Sequence, residues 1–146
     1  MGSKMSERVA VVATIDPDAN ATGTLGSDWV DMTMFDQAMC VVMTGVLGTA
    51  AGVDVQIEQA TDSSGTGAKD ITGKTITELL KATNDDDQAI INIDADELDI
   101  TGDFTHIRAV MTTATATSDS GLIILASRPR YGPANDNDLA SVVEIV

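Results

Sequence analysis

The chain has 146 residues, 43% of them apolar, which is enough for one domain that buries roughly 70% of the surface exposed by the unfolded chain. Lys and Arg number 8 against 23 Asp and Glu, a formal net charge of −15. A field of this sign repels phosphate backbones and anionic lipid headgroups. The composition therefore predicts a folded acidic domain and argues against binding to nucleic acid or membranes.

The start of the chain divides into a short polar segment and a candidate strand. Residues 1–7 are interpreted as a flexible N-terminus or a cloning remnant, since a second methionine stands at Met5. The apolar and β-branched residues of Arg8–Ile15 favour a strand. Basic residues before this run and an Ala-Asn-Ala sequence after it also sketch a secretory signal. The run is short and Asp16-Pro17-Asp18 ends it, so the strand is the preferred interpretation.

Apolar residues then recur mostly at every second position, the spacing of a strand with one buried face. Residues 53–58 and residues 106–111 both show this alternation. Ala38–Val42 and Leu122–Ala126 are apolar throughout, which predicts central strands in two packed layers. Further strands are predicted at Trp29–Thr33, Gln88–Ile93 and Ser141–Val146.

Turn-forming segments rich in Gly, Asp and Asn separate these strands. Between two of them, Thr75-Ile76-Thr77-Glu78 matches a capping box and predicts one short helix that closes an end of the fold. About eight short strands joined by such turns indicate a mainly β, single-domain β-sandwich or jelly-roll-like fold. We expect it to occupy residues 8–146, with no internal repeat and no domain linker.

Few residues are suited to catalysis, because the chain has a single histidine, cysteine and tyrosine. Cys40 lies in an apolar run and is expected to be a buried, unreactive thiol. His106 falls on the polar face of a predicted strand and is interpreted as a surface residue. The Gly65–Lys69 segment lacks the spacing of a phosphate loop and is interpreted as a hairpin connection. No catalytic residue is predicted, although a hydrolase with an unrecognised triad stays an alternative.

The acidic segments are the candidates for a metal site. Asp16–Asn20 carries oxygen ligands at the spacing of calcium loops, but Ala21 and Ser27 stand where the turn glycine and the bidentate glutamate belong. The clusters at residues 85–87 and 94–97 are interpreted as solvated surface that binds a cation weakly at most. No metal site and no cofactor are predicted.

Eight segments, taken in chain order, carry a resemblance to a known family. They are Ser27–Met32, Phe35-Asp36, Val41–Gly45, Val55–Asp62, Gly65–Ile71, Glu97–Asp99, Phe104–Ile107 and Arg130–Pro133. Their order resembles the small head proteins of tailed bacteriophages, the decoration or cement class that adds to an assembled capsid. The resemblance spans about residues 8–146 and depends on the order of segments, with no catalytic fingerprint.

The resemblance implies a β-rich accessory protein on the outer surface of the virion that binds the major capsid protein and stabilises the head. It also implies a homo-oligomer, with a trimer expected first because capsids present three-fold positions. Alternatives are a head-tail connector or tail component, which would form rings, and a glycan-binding β-sandwich module. The scarcity of aromatic residues, 3% of the chain, disfavours the glycan-binding module.

A partner-binding patch is predicted where the last central strand ends. Arg128 and Arg130 flank Pro129, and Tyr131 follows, so the segment combines cations with an amphipathic aromatic ring. Arg and Tyr are favoured as anchors of protein interfaces. The alternative is that Arg128, Arg130 and Tyr131 only cover the edge of the sandwich.

Overall fold

A computed structural model of the protein describes residues 2–146, and most of them belong to two facing antiparallel sheets. The strands are β1 (Val9–Asn20), β2 (Gly23–Gly26), β3 (Val30–Asp31), β4 (Phe35–Thr44), β5 (Gly52–Ala60), β6 (Lys69–Thr75), β7 (Leu79–Leu80), β8 (Gln88–Asp94), β9 (His106–Ala114) and β10 (Ser118–Pro129). One helical turn, α1 (Met5–Arg8), precedes them, and 3-10 turns occur at Ala95–Glu97, Ile100–Gly102 and Ala134–Asn137. Within the described residues, none of the helices has the length and apolar character to cross a membrane.

The strand order is that of a jelly roll. The first sheet runs β1-β10-β4-β8 and the second runs β2-β9-β5-β6. The short strand β3 continues β2 along β9, and β7 continues β6 along β5, so each sheet has four strand positions. Such a fold stacks two antiparallel sheets face to face and leaves β1, β8, β2 and β6 as edge strands. The prediction of a mainly β sandwich or jelly roll is confirmed.

The core lies between the sheets and follows from the period-two pattern. Val53, Val55 and Ile57 on β5 are fully buried, as are Ile107 and Ala109 on β9. Their polar neighbours face outward from the second sheet. Burying a Val or Ile side chain contributes roughly 1.5–3 kcal/mol, so these alternating segments supply much of the stability. The alternation predicted for residues 53–58 and 106–111 is confirmed.

The short helix predicted around residues 75–80 is wrong. Thr75 ends β6, and its Oγ1 donates a hydrogen bond to the Val55 carbonyl, 3.3 Å away, so it caps no helix. Leu79–Leu80 forms β7, which pairs with Gly52–Val53. A capping residue contributes about 1 kcal/mol. Pairing with β5 supplies backbone hydrogen bonds and buries Leu79, and it outweighs the local signal.

The strand predicted at Ser141–Val146 is also wrong. The last residues pair with no sheet in the described chain. Instead, the Leu139 amide donates to the Val11 carbonyl at 2.9 Å, and the Val11 amide donates to Asp138 Oδ1 at 2.7 Å. These two bonds occupy part of the free edge of β1, and the residues beyond them are mostly exposed.

β1 is longer than predicted. It was expected to end at Ile15, but it continues to Asn20 through two irregularities, one of which includes Pro17. β1 is an edge strand, and an edge or bulge tolerates proline because no ladder hydrogen bond needs its missing N–H. At the other end, residues 5–8 form α1, while Met1 of the predicted flexible segment 1–7 lies outside the described residues.

Candidate partner-binding site

The predicted patch lies where β10 leaves the first sheet. Pro129 pairs with Phe35 of β4, and the Arg130 amide donates to the Met34 carbonyl at 2.9 Å. Arg128 adopts a φ of 54°, in the left-handed region, a conformation that bulky residues adopt only when their surroundings enforce it. The pairing on both sides of Arg128 supplies this constraint and fixes the direction in which the segment leaves the sheet.

All three side chains of the patch are accessible. Tyr131 is 72% exposed, with its ring against solvent. Arg130 Nη2 lies 3.3 Å from Asp36 Oδ1, and about half of each side chain is exposed. Ion pairs between side chains this exposed contribute about 0–1 kcal/mol to stability. Arg130 can therefore exchange Asp36 for a carboxylate of a partner protein at little cost in free energy. The structure therefore leaves the side chains of Arg128, Arg130 and Tyr131 exposed at the end of β10.

A third cation, Arg8, lies near this segment, and the sequence interpretation did not include it. Arg8 of α1 and Arg128 line the same shallow depression of about 420 Å³, because Val9 and Ser127 pair between β1 and β10. We call Arg8, Arg128, Arg130 and Tyr131 the basic corner. The pairing of the first and last long strands was the missing information, since the local sequence contains nothing that relates Arg8 to Arg128.

The charge distribution distinguishes the basic corner from the rest of the surface. Five of the eight cations form ion pairs with carboxylates: Lys69–Asp99, Lys74–Glu97, Lys81–Asp85, Arg108–Glu58 and Arg130–Asp36. The other three are Lys4, Arg8 and Arg128, which have no ion pair within residues 2–146. Arg8 and Arg128 lie at the basic corner, and Lys4 directly precedes α1. Glu7 lines the same depression and accepts a hydrogen bond from the Lys4 amide, so cations outnumber carboxylates there, on a chain that is otherwise strongly acidic.

Cys40 and His106 lie in different sheets and do not form a catalytic pair. Cys40 is fully buried on β4 in the first sheet, and desolvation raises the pKa of its thiol to about 12. His106 begins β9 in the second sheet, where its Nδ1 lies 2.8 Å from Thr105 Oγ1. The second sheet separates them, because the side chain next to His106, Ile107, points into the core.

The acidic clusters mainly bond to their own loops. Asp85 accepts hydrogen bonds from Lys81 and the Leu47 amide, and these bonds lower its pKa. Glu97 accepts from the Asp94 amide and pairs with Lys74, with the same effect on its pKa. In the part of the chain that the structure describes, no three His, Cys, Asp or Glu side chains are grouped as a metal site would need. Residues 16–20 belong to β1.

Most aromatic rings are already in contact with other side chains. Arg108 covers the ring of Trp29 with its guanidinium carbon 4.7 Å from the centroid, and Lys69 Nζ lies 4.1 Å above Phe104. Phe35 is 2% exposed. Tyr131 is therefore the aromatic side chain that offers an open face to a partner.

Comparison with known proteins adds to the fold assignment. No family model matches the sequence, and no curated protein does. Among solved structures, a chain of the cryo-EM structure of broad bean stain virus is similar with a TM-score of 0.50 and 8% identity, over 87% of this chain and 89% of that one. A chain of the cowpea mosaic virus empty virus-like particle has a TM-score of 0.46 and 9% identity, over 92% and 87%. A CBM4 structure has a TM-score of 0.41 and 11% identity, over 78% and 67%.

At these identities, the likeness concerns the fold alone. The broad bean stain virus chain matches over nearly its full length, so the shared unit is the whole two-sheet domain. This agrees with the jelly-roll order of the strands. The jelly roll hosts capsid and lectin domains alike, so the function must be argued from the surface of this chain.

Proposed function

We propose that this chain is a decoration or cement protein of a tailed-bacteriophage head, a structural component of the virion and not an enzyme. In this proposal it sits on the outer surface of the capsid, binds the lattice of major capsid protein and stabilises the head. The observation that carries the proposal is the jelly-roll domain, whose fold matches a chain of a virus particle over 87% of its length. The order of sequence segments shared with phage head proteins supports the same role.

The surface is suited to binding a protein. The candidate nucleophile Cys40 is buried with a raised pKa, and the described acidic residues form no metal cluster. What the surface does present is the basic corner, with exposed Tyr131 and cations that outnumber carboxylates. Arginine and tyrosine are enriched among residues that dominate binding energy in protein interfaces. We therefore assign the contact with the capsid to the basic corner.

The net charge of each copy determines the electrostatic forces that act during attachment to the capsid. Each copy carries −15, so neighbouring copies on a capsid repel one another at separations within about 8–10 Å, the Debye length at physiological salt. An acidic patch on the capsid opposite the basic corner would orient each copy while its carboxylates stay in solvent. In this proposal the copies attach as a homo-oligomer, with a trimer first, which a three-fold position of the shell would match.

The alternatives fit less well. A glycan-binding module needs open aromatic rings for stacking, but Trp29 and Phe104 are covered by cations and Phe35 is buried. A head-tail connector or tail component stays compatible with the fold. It would assemble into rings, which electron microscopy of the purified protein would detect directly.

The proposal is tested by mixing the purified protein with capsids of the matching phage that lack it, followed by sedimentation of the particles. We expect saturable uptake at a fixed ratio to major capsid protein, and decorated capsids should withstand a higher temperature before they open. Serum albumin at equal concentration serves as the control for trapping in the pellet. If capsids take up no protein between low and physiological salt, decoration is rejected; uptake only at capsid vertices would favour a connector.

A further inference from the structure

The outer face of the first sheet is apolar. On β4, Met39, Val41 and Met43 alternate with the buried residues Ala38, Cys40 and Val42, so they point away from the core. Outward residues on the neighbouring strands are also apolar. We call the set the outer face; its apolar members are Val11, Met39, Val41, Met43, Ile90, Ile123 and Leu125.

Strand register places these side chains in adjacent rows. Ile123 pairs with Val41 and Val41 with Ile90, which makes a row across three strands. A second row joins Val11, Leu125 and Met39. Side chains directly opposite on neighbouring strands contact each other, so the outer face is a continuous apolar surface.

The centre of the face carries no charge. Its polar members include Thr14, Gln37, Gln88, Asn92 and Ser127, and the carboxylates at its paired positions, Asp94 and Asp119, lie at opposite margins. The whole chain contains 23 acidic residues, so a four-stranded face with two marginal carboxylates is a marked departure. At the centre of the face a second molecule can approach without bringing carboxylates together.

The face is also accessible and large. Ile90 is 57% exposed and Met43 is 54% exposed, while the other apolar members are partly exposed. Four strands about 4.8 Å apart and seven residues long at about 3.4 Å each span roughly 450 Å² in projection. Apolar patches above a few hundred Å² mark interaction sites. A standard interface takes about 800 Å² of accessible surface per partner, so the face would form its centre.

We propose that the outer face packs against the same face of a second copy of this chain and forms the centre of a two-fold interface, a contact separate from any three-fold contact made on the capsid. An uncharged partner surface is needed, because an acidic or basic partner would lose the hydration of its charges against apolar side chains without gaining ion pairs. The chain itself offers such a surface in the same face. Apolar sheet faces pack on one another at about 10 Å, as this sheet already does on its inner side.

This inference does not depend on the role in the capsid. The contact between copies forms in the free protein. An experiment can therefore reject self-association through the outer face while capsid binding is observed, or reject capsid binding while self-association is observed. The inference also predicts how salt acts. Salt screens the repulsion between the acidic surfaces that lie outside the outer face on the two copies. Association should therefore strengthen from about 0.05 to about 0.5 M NaCl. An interface made of ion pairs would weaken over the same range.

The test is sedimentation equilibrium of the full chain at several concentrations, with a monomer mass of 15.2 kDa. We expect the wild type to form oligomers, and Ile90→Lys to raise the dissociation constant at least 10-fold. The matched control is Ile100→Lys, since Ile100 is 66% exposed but lies on a 3-10 turn outside the face. That variant should associate like the wild type.

Both substituted positions are already exposed, so the fold should tolerate lysine, and circular dichroism checks this. If Ile90→Lys fails to fold, Met43→Lys on β4 replaces it. A wild type that stays monomeric up to about 0.5 mM at all salt concentrations overturns the proposal and leaves the face to a different partner. Oligomers that persist equally in Ile90→Lys and Met43→Lys also overturn it.

Discussion

The guanidinium of Arg108 lies over the indole ring of Trp29, with the guanidinium carbon 4.7 Å from the ring centroid. The same guanidinium bonds to Glu58 Oε2 at 2.9 Å. Arg108 therefore joins β9, β5 and the segment before β3 on the outside of the second sheet. Gly65 completes the cluster, since a Cβ there would fall 3.0 Å from the indole.

Replacing Arg108 by alanine should reduce the free energy of unfolding by about 1–3 kcal/mol, because a cation–π contact and a charge-assisted hydrogen bond are lost together. Urea unfolding followed by circular dichroism measures this. The control is Arg130→Ala, whose ion pair with Asp36 is half exposed and should cost about 0–1 kcal/mol. Equal losses in the two variants would contradict the cluster's role.

Cys40 should react slowly with thiol reagents in the native protein and quickly in urea. Its side chain is fully buried and its pKa is raised to about 12, so little thiolate forms near neutral pH. Cys40→Ser should destabilise the fold by about 1–3 kcal/mol, because it buries a hydroxyl among apolar neighbours. Cys40→Ala is the control and should cost less. Rapid modification without unfolding would show that β4 opens locally.

Asp85 should make stability depend on acid pH. Hydrogen bonds from Lys81 and the Leu47 amide lower its pKa in the folded state. Its contribution is therefore present above the unfolded pKa, near 4, and is lost as pH falls through the lower folded value. We expect Asp85→Asn to be less stable than the wild type at pH 6, by a difference that shrinks as the pH falls below the unfolded pKa near 4. Urea unfolding at several pH values tests this.

The control for that series is Asp96→Asn. Asp96 is exposed, and its carboxylate makes no hydrogen bond or ion pair within residues 2–146. Its substitution removes no hydrogen bond or ion pair, so we expect only a small change in the free energy of unfolding. If the difference in unfolding free energy between the wild type and Asp85→Asn did not change with pH, the hydrogen-bonded carboxylate would not be its cause.

Tyr131→Ala should weaken binding to undecorated capsids at least 10-fold, about 1.4 kcal/mol, and leave the unfolding free energy within about 0.5 kcal/mol. Tyr131 is 72% exposed and has few contacts to lose. Arg128→Glu should weaken binding more at low salt than at high salt, because it reverses a charge. Leu80→Ala serves as the control, since Leu80 is exposed on β7 of the second sheet. If Tyr131→Ala and Arg128→Glu both bound capsids like the wild type, the capsid contact would have to lie outside the basic corner.

The sequence predicted the strands whose patterns are local. Residues 53–58 and 106–111 alternate because each strand has one face on the core, and this period is visible without knowledge of its neighbours. β2 was missed because all four of its residues, Gly23–Gly26, are exposed, so no apolar period marks it. β6 was missed for a related reason, since only Ile71 on it is buried.

The remaining errors come from long-range pairing. Thr75–Glu78 carries a genuine capping signal, but its neighbour Leu79 pairs with β5, and no local pattern announces that partner. Only Arg8 of the basic corner was missed, for the same reason: Arg128, Arg130 and Tyr131 are close in sequence, whereas the pairing of Val9 with Ser127 brings Arg8 near Arg128. The apolar character of Ala38–Val42 on both faces was recognised, but only one face turned out to be covered.

The pairing of β1 with β10 also governs when the protein can fold. β10 lies between β1 and β4, so β1 cannot join the first sheet until β10 has been synthesised. About a hundred residues separate the two partners, and at the usual ribosomal rate of roughly 5–20 residues per second β1 waits on the order of 5–20 s for β10. Domains dominated by such distant contacts fold slowly. During synthesis, the apolar strand β1 therefore lacks its pairing partner for seconds, until β10 has been made.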